Sequence, residues 1–130
     1  MPYVTWKDEF GVGVALIDAD HKNLVEIVNR LHDVLASGGD GALTLCDELI
    51  EHTVVHFANE EQWFDPLHYP RAEQHRRMHE KLKERILHYR SALEREPSLD
   101  TFEQFTDWLT HHIAGEDHAY GAWLNTQGIH

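Results

Sequence analysis

The stretch HFANEEQWF, residues 56–64, places a histidine and a glutamate four positions apart. Four residues are just over one turn of an α-helix, so His56 and Glu60 leave the same helix face. A single pair of this kind is compatible with an ordinary surface hydrogen bond. Its meaning therefore depends on whether the rest of the chain supplies partners for an imidazole and a carboxylate.

The composition is that of one small domain. The chain has 130 residues, the usual size of a domain with a single core, and we predict one domain over residues 1–130. No apolar run is long enough to span a membrane, and the N-terminus is unlike a secretory signal. A single cysteine, Cys46, excludes an internal disulfide. These features favour a cytoplasmic protein, which we also expect to be a monomer.

The charge and the histidine content narrow the range of functions. A formal net charge of −12 makes the chain a poor binder of nucleic acid or of anionic membranes, because both depend on clustered Lys and Arg. The 12 histidines are dispersed, which excludes a polyhistidine tag. Since histidine is the commonest metal ligand among side chains, their spacing needs an explanation.

Four segments of the chain carry helical periodicity and predict an all-α fold. In each segment apolar side chains recur every three or four residues, and short loops rich in glycine or proline separate the segments. This pattern is typical of an antiparallel up-down-up-down four-helix bundle. We predict the bundle over about residues 18–115, between an N-terminal arm at 1–17 and a C-terminal segment at 116–130. Trp6 and Phe10 in the arm are large and apolar, so the arm must pack somewhere.

The predicted helix boundaries rest on capping residues. Asp18 is a good N-cap for the first helix, and Asp100 with Glu103 has the pattern of a capping box for the fourth. The second helix is predicted at about 42–64. Gly115 is predicted to end the fourth helix.

Polar residues interrupt the apolar stripes at one end of the predicted bundle. They stand near the start of the first and third helices and near the end of the second and fourth: His21, His56, Glu60, His75, His79 and His112. In an alternating bundle these four places share one layer of the core. Burying several imidazoles and a carboxylate without partners costs many kcal/mol, whereas a metal centre satisfies all of them together.

Two further residues lie near this layer. Asp117 follows His112 by five residues, and about 500° of rotation on a regular helix would turn it away. Gly115 lies between them and allows the backbone to unwind, so we expect Asp117 to reach back to the site. His52 lies one turn before His56 and is an ambiguous additional ligand.

The predicted ligand set is too large for one metal ion. Five imidazoles and two carboxylates exceed a tetrahedral zinc site and a single octahedral shell. Cys46 lies off the predicted stripe, so we expect no thiolate. Two irons bridged by the carboxylates would use all seven groups, although imidazole also suits zinc, copper and nickel. The chain contains no Glu-x-x-His motif, which separates it from the carboxylate-rich di-iron proteins.

These motifs resemble the hemerythrin family, and its bacterial single-domain members most closely. The resemblance runs from Trp6 to about Tyr120. It rests on four motifs: IDADH ending at His21, HFANEE at 56–61, HRRMH at 75–79 and WLTHHIAGED at 108–117. Each motif alone is weak, but their order and separation are specific. The resemblance implies a single hemerythrin-like domain with a non-haem di-iron centre that binds dioxygen reversibly, for oxygen transport, storage or delivery.

The resemblance also implies a role for each position. One iron would take three histidines: His75, His79 and His112. The other would take His21 and His56. Glu60 and Asp117 would bridge the two irons beside an oxo or hydroxo bridge, leaving the second iron an open position for dioxygen. Leu109 would line the pocket over that position. Asp20, which is not a ligand position, stands where many relatives have glutamine.

The leading interpretation is an oxygen carrier or store. We identify no catalytic residue for this function, so we expect no enzyme activity. The alternatives are a di-iron oxidase or peroxide-handling enzyme, an oxygen sensor, and an iron store or structural metal site. The nitrogen-rich ligand set argues against an oxidase, and the chain is too short to include a signalling domain. The sequence does not identify a protein that would receive the oxygen.

Overall fold

The first four helices form the predicted four-helix bundle. The structure is a computed structural model that describes residues 10–130, so the first nine residues of the predicted arm, with Trp6, lie outside the described residues. The α-helices within that range are α1 (Ala15–Ala36), α2 (Ala42–Glu61), α3 (Ala72–Arg95), α4 (Leu99–His112) and α5 (His118–Thr126). Helix α1 packs on α2 and α4, and α3 packs on α2 and α4. No helix between residues 10 and 130 combines the length and the apolar character needed to cross a membrane.

The buried stripes of the four helices form one apolar core. Its largest fully buried members include Leu24, Ile27, Leu31, Leu49, Phe57, Leu82 and Phe102. Cys46 also lies in this core and is fully buried, so the prediction that it lies off the stripe is wrong. The buried positions of α2 step by four and then by three residues from Ala42 through Cys46 to Leu49, which is one face of a helix.

Both predicted N-terminal caps are wrong. Helix α1 begins at Ala15, so Asp18 lies inside its first turn, where Oδ1 accepts a hydrogen bond from the Val12 N–H at 2.7 Å. Asp18 therefore holds the incoming chain. Helix α4 begins at Leu99, directly after Ser98. Asp100 and Glu103 consequently lie within the helix and are exposed, which leaves them out of register for a capping box.

A second apolar cluster closes the end of the bundle. It joins the segment before α1 to α5 and to the loop after α2: Val12, Val14, Ile17, Phe64, Tyr69, Tyr120 and Leu124. Gly121 permits the close approach, because a Cβ at this position would lie 2.1 Å from the carbonyl oxygen of Val12. Asn125 Nδ2 donates a hydrogen bond to the Gly13 carbonyl oxygen at 3.0 Å. The described part of the arm therefore packs firmly, and its Phe10 is buried as expected.

Replacing Gly121 with alanine tests this contact. The added methyl group meets backbone, so the segment before α1 must move away from α5. We expect Gly121→Ala to lower the free energy of unfolding by about 1–3 kcal/mol, measured by urea denaturation. Gly115→Ala is the matched control, because a Cβ there has no atom within 4 Å. Equal stability of the two variants would contradict the close packing.

Candidate metal centre

Seven polar side chains meet in one layer at the closed end of the bundle. They are the residues singled out from the sequence: His21, His56, Glu60, His75, His79, His112 and Asp117. Six of them are buried, and the side chain of His112 is only 8% exposed. Helices α1 to α4 supply all but Asp117, which belongs to the turn after α4. The layer is therefore assembled from every helix of the bundle.

The seven side chains form two groups that share both carboxylates. Within each group the candidate ligand atoms lie within 4.8 Å of one another. The first group is Glu60, His75, His79, His112 and Asp117. The second is His21, His56, Glu60 and Asp117. This division could hold two neighbouring cations that share two ligands.

Glu60 directs one oxygen atom to each group. Its Oε1 lies 2.9 Å from His79 Nε2 and 3.3 Å from His75 Nε2. The other oxygen, Oε2, lies 3.6 Å from His56 Nε2. A carboxylate that faces two sets of imidazoles with separate oxygens has the orientation of a bridging ligand.

Asp117 divides its oxygens in the same way. Its Oδ1 lies 3.1 Å from both His75 Nε2 and His112 Nε2. Its Oδ2 lies 3.0 Å from His21 Nε2 and 3.8 Å from His56 Nε2. Asp117, like Glu60, therefore directs one oxygen atom to each ligand group.

The donor atoms of this layer do not satisfy one another's hydrogen-bonding capacity. This unused capacity tests whether cations fit the layer. His21 Nε2 and His56 Nε2 point at each other across 3.0 Å. Several buried atoms have no hydrogen-bond partner among the described residues: Glu60 Oε2, His75 Nε2, His112 Nε2 and Asp117 Oδ1. Unsatisfied buried polar groups are costly, and converging imidazole nitrogens and carboxylate oxygens are metal donors. The residues present therefore fit a pair of cations.

Charge in the layer shifts the pKa values of its imidazoles. Burial alone would lower the pKa of His56. The charge of Glu60, the nearby carboxylate of Asp117 and the hydrogen bond to Asp20 outweigh burial and raise this pKa to about 10. Burial likewise opposes protonation of His75, but the two shared carboxylates close to its Nε2 raise its pKa to about 9. Protonation of these imidazoles would offset the charge of the buried carboxylates in the metal-free protein, and bound cations would replace those protons.

A π-helical turn, Ile113–Asp117, brings Asp117 to the site. Its hydrogen bonds run from residue i to i+5, so residues five apart return to the same face. Asp117 consequently lies over His112, although an α-helix would turn it away. The prediction that Gly115 ends α4 is wrong, because the helix widens at this residue and continues into α5.

The outer nitrogen of His56 and the ring of His79 also have partners, which the sequence analysis missed. His56 Nδ1 lies 3.1 Å from Asp20 Oδ2, and the same oxygen accepts a hydrogen bond from Asn59 Nδ2 at 2.9 Å. The ring of Phe57 stacks on His79 with centroids 3.9 Å apart. Asn59 follows His56 by three residues, and this helical spacing was the one signal in the sequence that both side chains could reach the same partner, Asp20.

His52 does not join the site. Its side chain is exposed on α2, and it belongs to neither ligand group among the described residues. Thr53 occupies the buried position one turn before His56 and donates its hydroxyl hydrogen to the Leu49 carbonyl oxygen at 2.7 Å.

A four-helix bundle whose helices aim histidines and carboxylates at one buried layer defines a class of metal-binding helical bundles. Residues 12–124 match the family model described as the hemerythrin HHE cation binding domain. The chain belongs to the hemerythrin family.

Relatives and solved structures agree with this membership over most of the chain. The chain is 34% identical to the bacteriohemerythrin of Methylococcus capsulatus, with 96% of this chain and 99% of the relative covered. It is 32% identical to that of Stenotrophomonas maltophilia, with 92% and 80% covered. A crystal structure of wild-type hemerythrin superposes with a TM-score of 0.82 at 31% identity and covers 92% of this chain and 96% of its own.

Removing a shared carboxylate tests the ligand groups. Glu60→Ala leaves two neighbouring cations with less compensating charge and removes a ligand from both groups. We expect the variant to lose its bound metal pair and, with it, the extra thermal stability that metal confers on the folded state alone. Metal analysis and thermal unfolding with and without chelator measure both effects.

Glu51→Ala is the matched control, since Glu51 lies on the same helix with an exposed side chain. It should keep the metal content and the chelator effect of the unmodified protein. A full metal pair in Glu60→Ala would remove that residue from the site.

Proposed function

We propose that the protein binds dioxygen reversibly at a non-haem di-iron centre, as an oxygen carrier or store. The observation that carries the proposal is the pair of ligand groups that share Glu60 and Asp117. Five imidazoles with two carboxylates form a nitrogen-rich donor set that suits iron. Membership of the hemerythrin family supports this choice of metal.

The two proposed iron positions differ in their number of protein ligands. One would be held by His75, His79, His112 and the two shared carboxylates, and the other by His21, His56 and the same two carboxylates. The second position would therefore have one protein ligand fewer than the first, and dioxygen would bind on that side. The iron pair supplies the electrons for binding dioxygen at that position.

A narrow apolar cavity lies between α1 and α4. Its lining consists of Leu24, Val25, Val28, Thr106, Leu109, Thr110 and Ile113. Leu24 follows His21 by three residues, and Leu109 precedes His112 by three, so each lies one helical turn from a ligand. The two threonine hydroxyls donate hydrogen bonds to carbonyl oxygens of α4 itself. The cavity therefore offers dioxygen an apolar surface.

This lining favours binding over turnover. Release of reduced oxygen from the centre needs water or protons to enter. The residues that line the cavity include no carboxylic acid and no imidazole. We therefore propose a binding function and name no catalytic residue.

Metal analysis with an oxygen titration tests the proposal. Protein loaded anaerobically with Fe(II) should hold two irons per chain, one for each ligand group, with little zinc. Its absorption spectrum should change on exposure to air and return when the oxygen pressure is lowered. One metal ion per chain would overturn the assignment. Sustained oxygen consumption with a reductant, faster than autoxidation, would favour an oxidase instead.

Enlarging the cavity tests the role of Leu109. Leu109→Ala should admit water to the oxygenated centre, so we expect faster autoxidation with the iron pair retained. The decay of the oxygenated spectrum measures this rate.

Leu93→Ala is the control. Leu93 is a buried leucine of α3, roughly 20 Å along the helix from His79. The same truncation there costs about 2–5 kcal/mol of stability but leaves the cavity unchanged. Equal autoxidation rates in the two variants would show that Leu109 has no specific role.

A further inference from the structure

We propose that Asp20 is a positioning residue that strengthens electron donation by His56 and so lowers the reduction potential of the metal that His56 holds. The inference rests on the proposed function, because it takes that metal to be iron. Asp20 itself belongs to neither ligand group.

The orientation of His56 assigns different tasks to its two nitrogens. Nε2 faces the metal layer, 3.0 Å from His21 Nε2 and 3.6 Å from Glu60 Oε2. Nδ1 faces outward, 3.1 Å from Asp20 Oδ2. An imidazole that binds metal through Nε2 keeps its proton on Nδ1 and donates it. His56 therefore donates a hydrogen bond to a carboxylate on the neighbouring helix.

A second donor holds this carboxylate in place. Asn59, one turn after His56 on α2, donates from Nδ2 to the same Oδ2 of Asp20 at 2.9 Å. Asp20 accepts both hydrogen bonds and is thereby fixed between α1 and α2. An aspartate side chain is ordinarily ionised at neutral pH.

Three of the other imidazoles, His21, His75 and His79, have a weaker outer partner than His56 or none among the described residues. His21 Nδ1 lies 3.5 Å from a neutral group, the Phe10 carbonyl oxygen. His79 Nδ1 lies 3.5 Å from Glu61 Oε2, without the geometry of a hydrogen bond. His75 Nδ1 has no hydrogen-bond partner among the described residues. The short carboxylate contact of His56 therefore marks the position with fewer protein ligands, where dioxygen is proposed to bind.

An anionic acceptor increases the basicity of a ligand imidazole. A more basic ligand stabilises the ferric state more than the ferrous state. Asp20 would therefore lower the reduction potential of an iron held by His56.

Asp20→Asn is the decisive variant, because the amide oxygen still accepts the hydrogen bonds but the charge is lost. We expect the ratio of ferrous to ferric protein at a fixed potential to rise about tenfold, a shift of about 59 mV for one electron. Anaerobic spectroelectrochemical titration measures the potential without dioxygen. Asp20→Glu, which retains the charge, should restore most of the original value.

Asp33→Asn is the matched control, since it removes the same charge from an exposed position on α1, roughly 20 Å along the helix axis from Asp20. An Asp20→Asn variant with two irons and the same potential as this control would overturn the proposal. If Asp20→Asn does not hold iron, NMR of the zinc-loaded protein decides. The His56 Nδ1 proton should move upfield in that variant, and an unchanged resonance would overturn the proposal.

These measurements separate the inference from the proposed function. The electrochemical and zinc experiments use no dioxygen, so reversible oxygenation can fail while the effect of Asp20 is observed. Conversely, if the protein binds oxygen reversibly and its reduction potential does not depend on Asp20, the proposed function stands and only this inference is overturned.

Discussion

Two buried carboxylates, Glu60 and Asp117, require positive charge in the interior of a helical bundle. Buried anions are tolerated only when they are paired or bind metal. Five imidazoles surround them, and the raised pKa values of His56 and His75 favour protonation of these two rings when no cation is bound. The requirement explains why every helix of the bundle contributes to one layer, and why α4 widens into a π turn where Asp117 enters it.

The apolar parts of the bundle offset the free-energy cost of burying this polar layer. Below it, the stripes of α1 to α4 form a continuous core. Above it, α5 and the segment before α1 form the second cluster. Tyr120 joins the two regions, because its ring packs in that cluster while its hydroxyl donates a hydrogen bond to the Glu60 carbonyl oxygen at 2.6 Å. The hydrogen bond between His56 and Asp20 then makes the two halves of the layer chemically different.

The bundle and the seven converging residues could be predicted because a 3.6-residue period places each of them on a buried face. Asp117 shows the limit of that argument, since the i to i+5 bonds of a π turn leave no period in the sequence. Cys46 and Leu45 differ by 100° of rotation, too little for an apolar stripe alone to decide which is buried. The two cap predictions were wrong because tertiary contacts determine where these helices begin. Asp18, for example, accepts a hydrogen bond from the Val12 N–H instead of capping α1. The sequence analysis noted Asp20 only because many relatives have glutamine at this position. Its contact with His56 joins two helices, and helical periodicity does not reveal such a contact.

The second apolar cluster has a consequence for kinetics. Phe64 and Tyr120 cover the ring of His75, with centroids 5.4 and 5.2 Å away, and the segment before α1 is held over them by Asp18 and Asn125. A cation held in the layer would therefore be shielded from solvent on this side, and its release by this route would require local opening of α5 and the N-terminal segment.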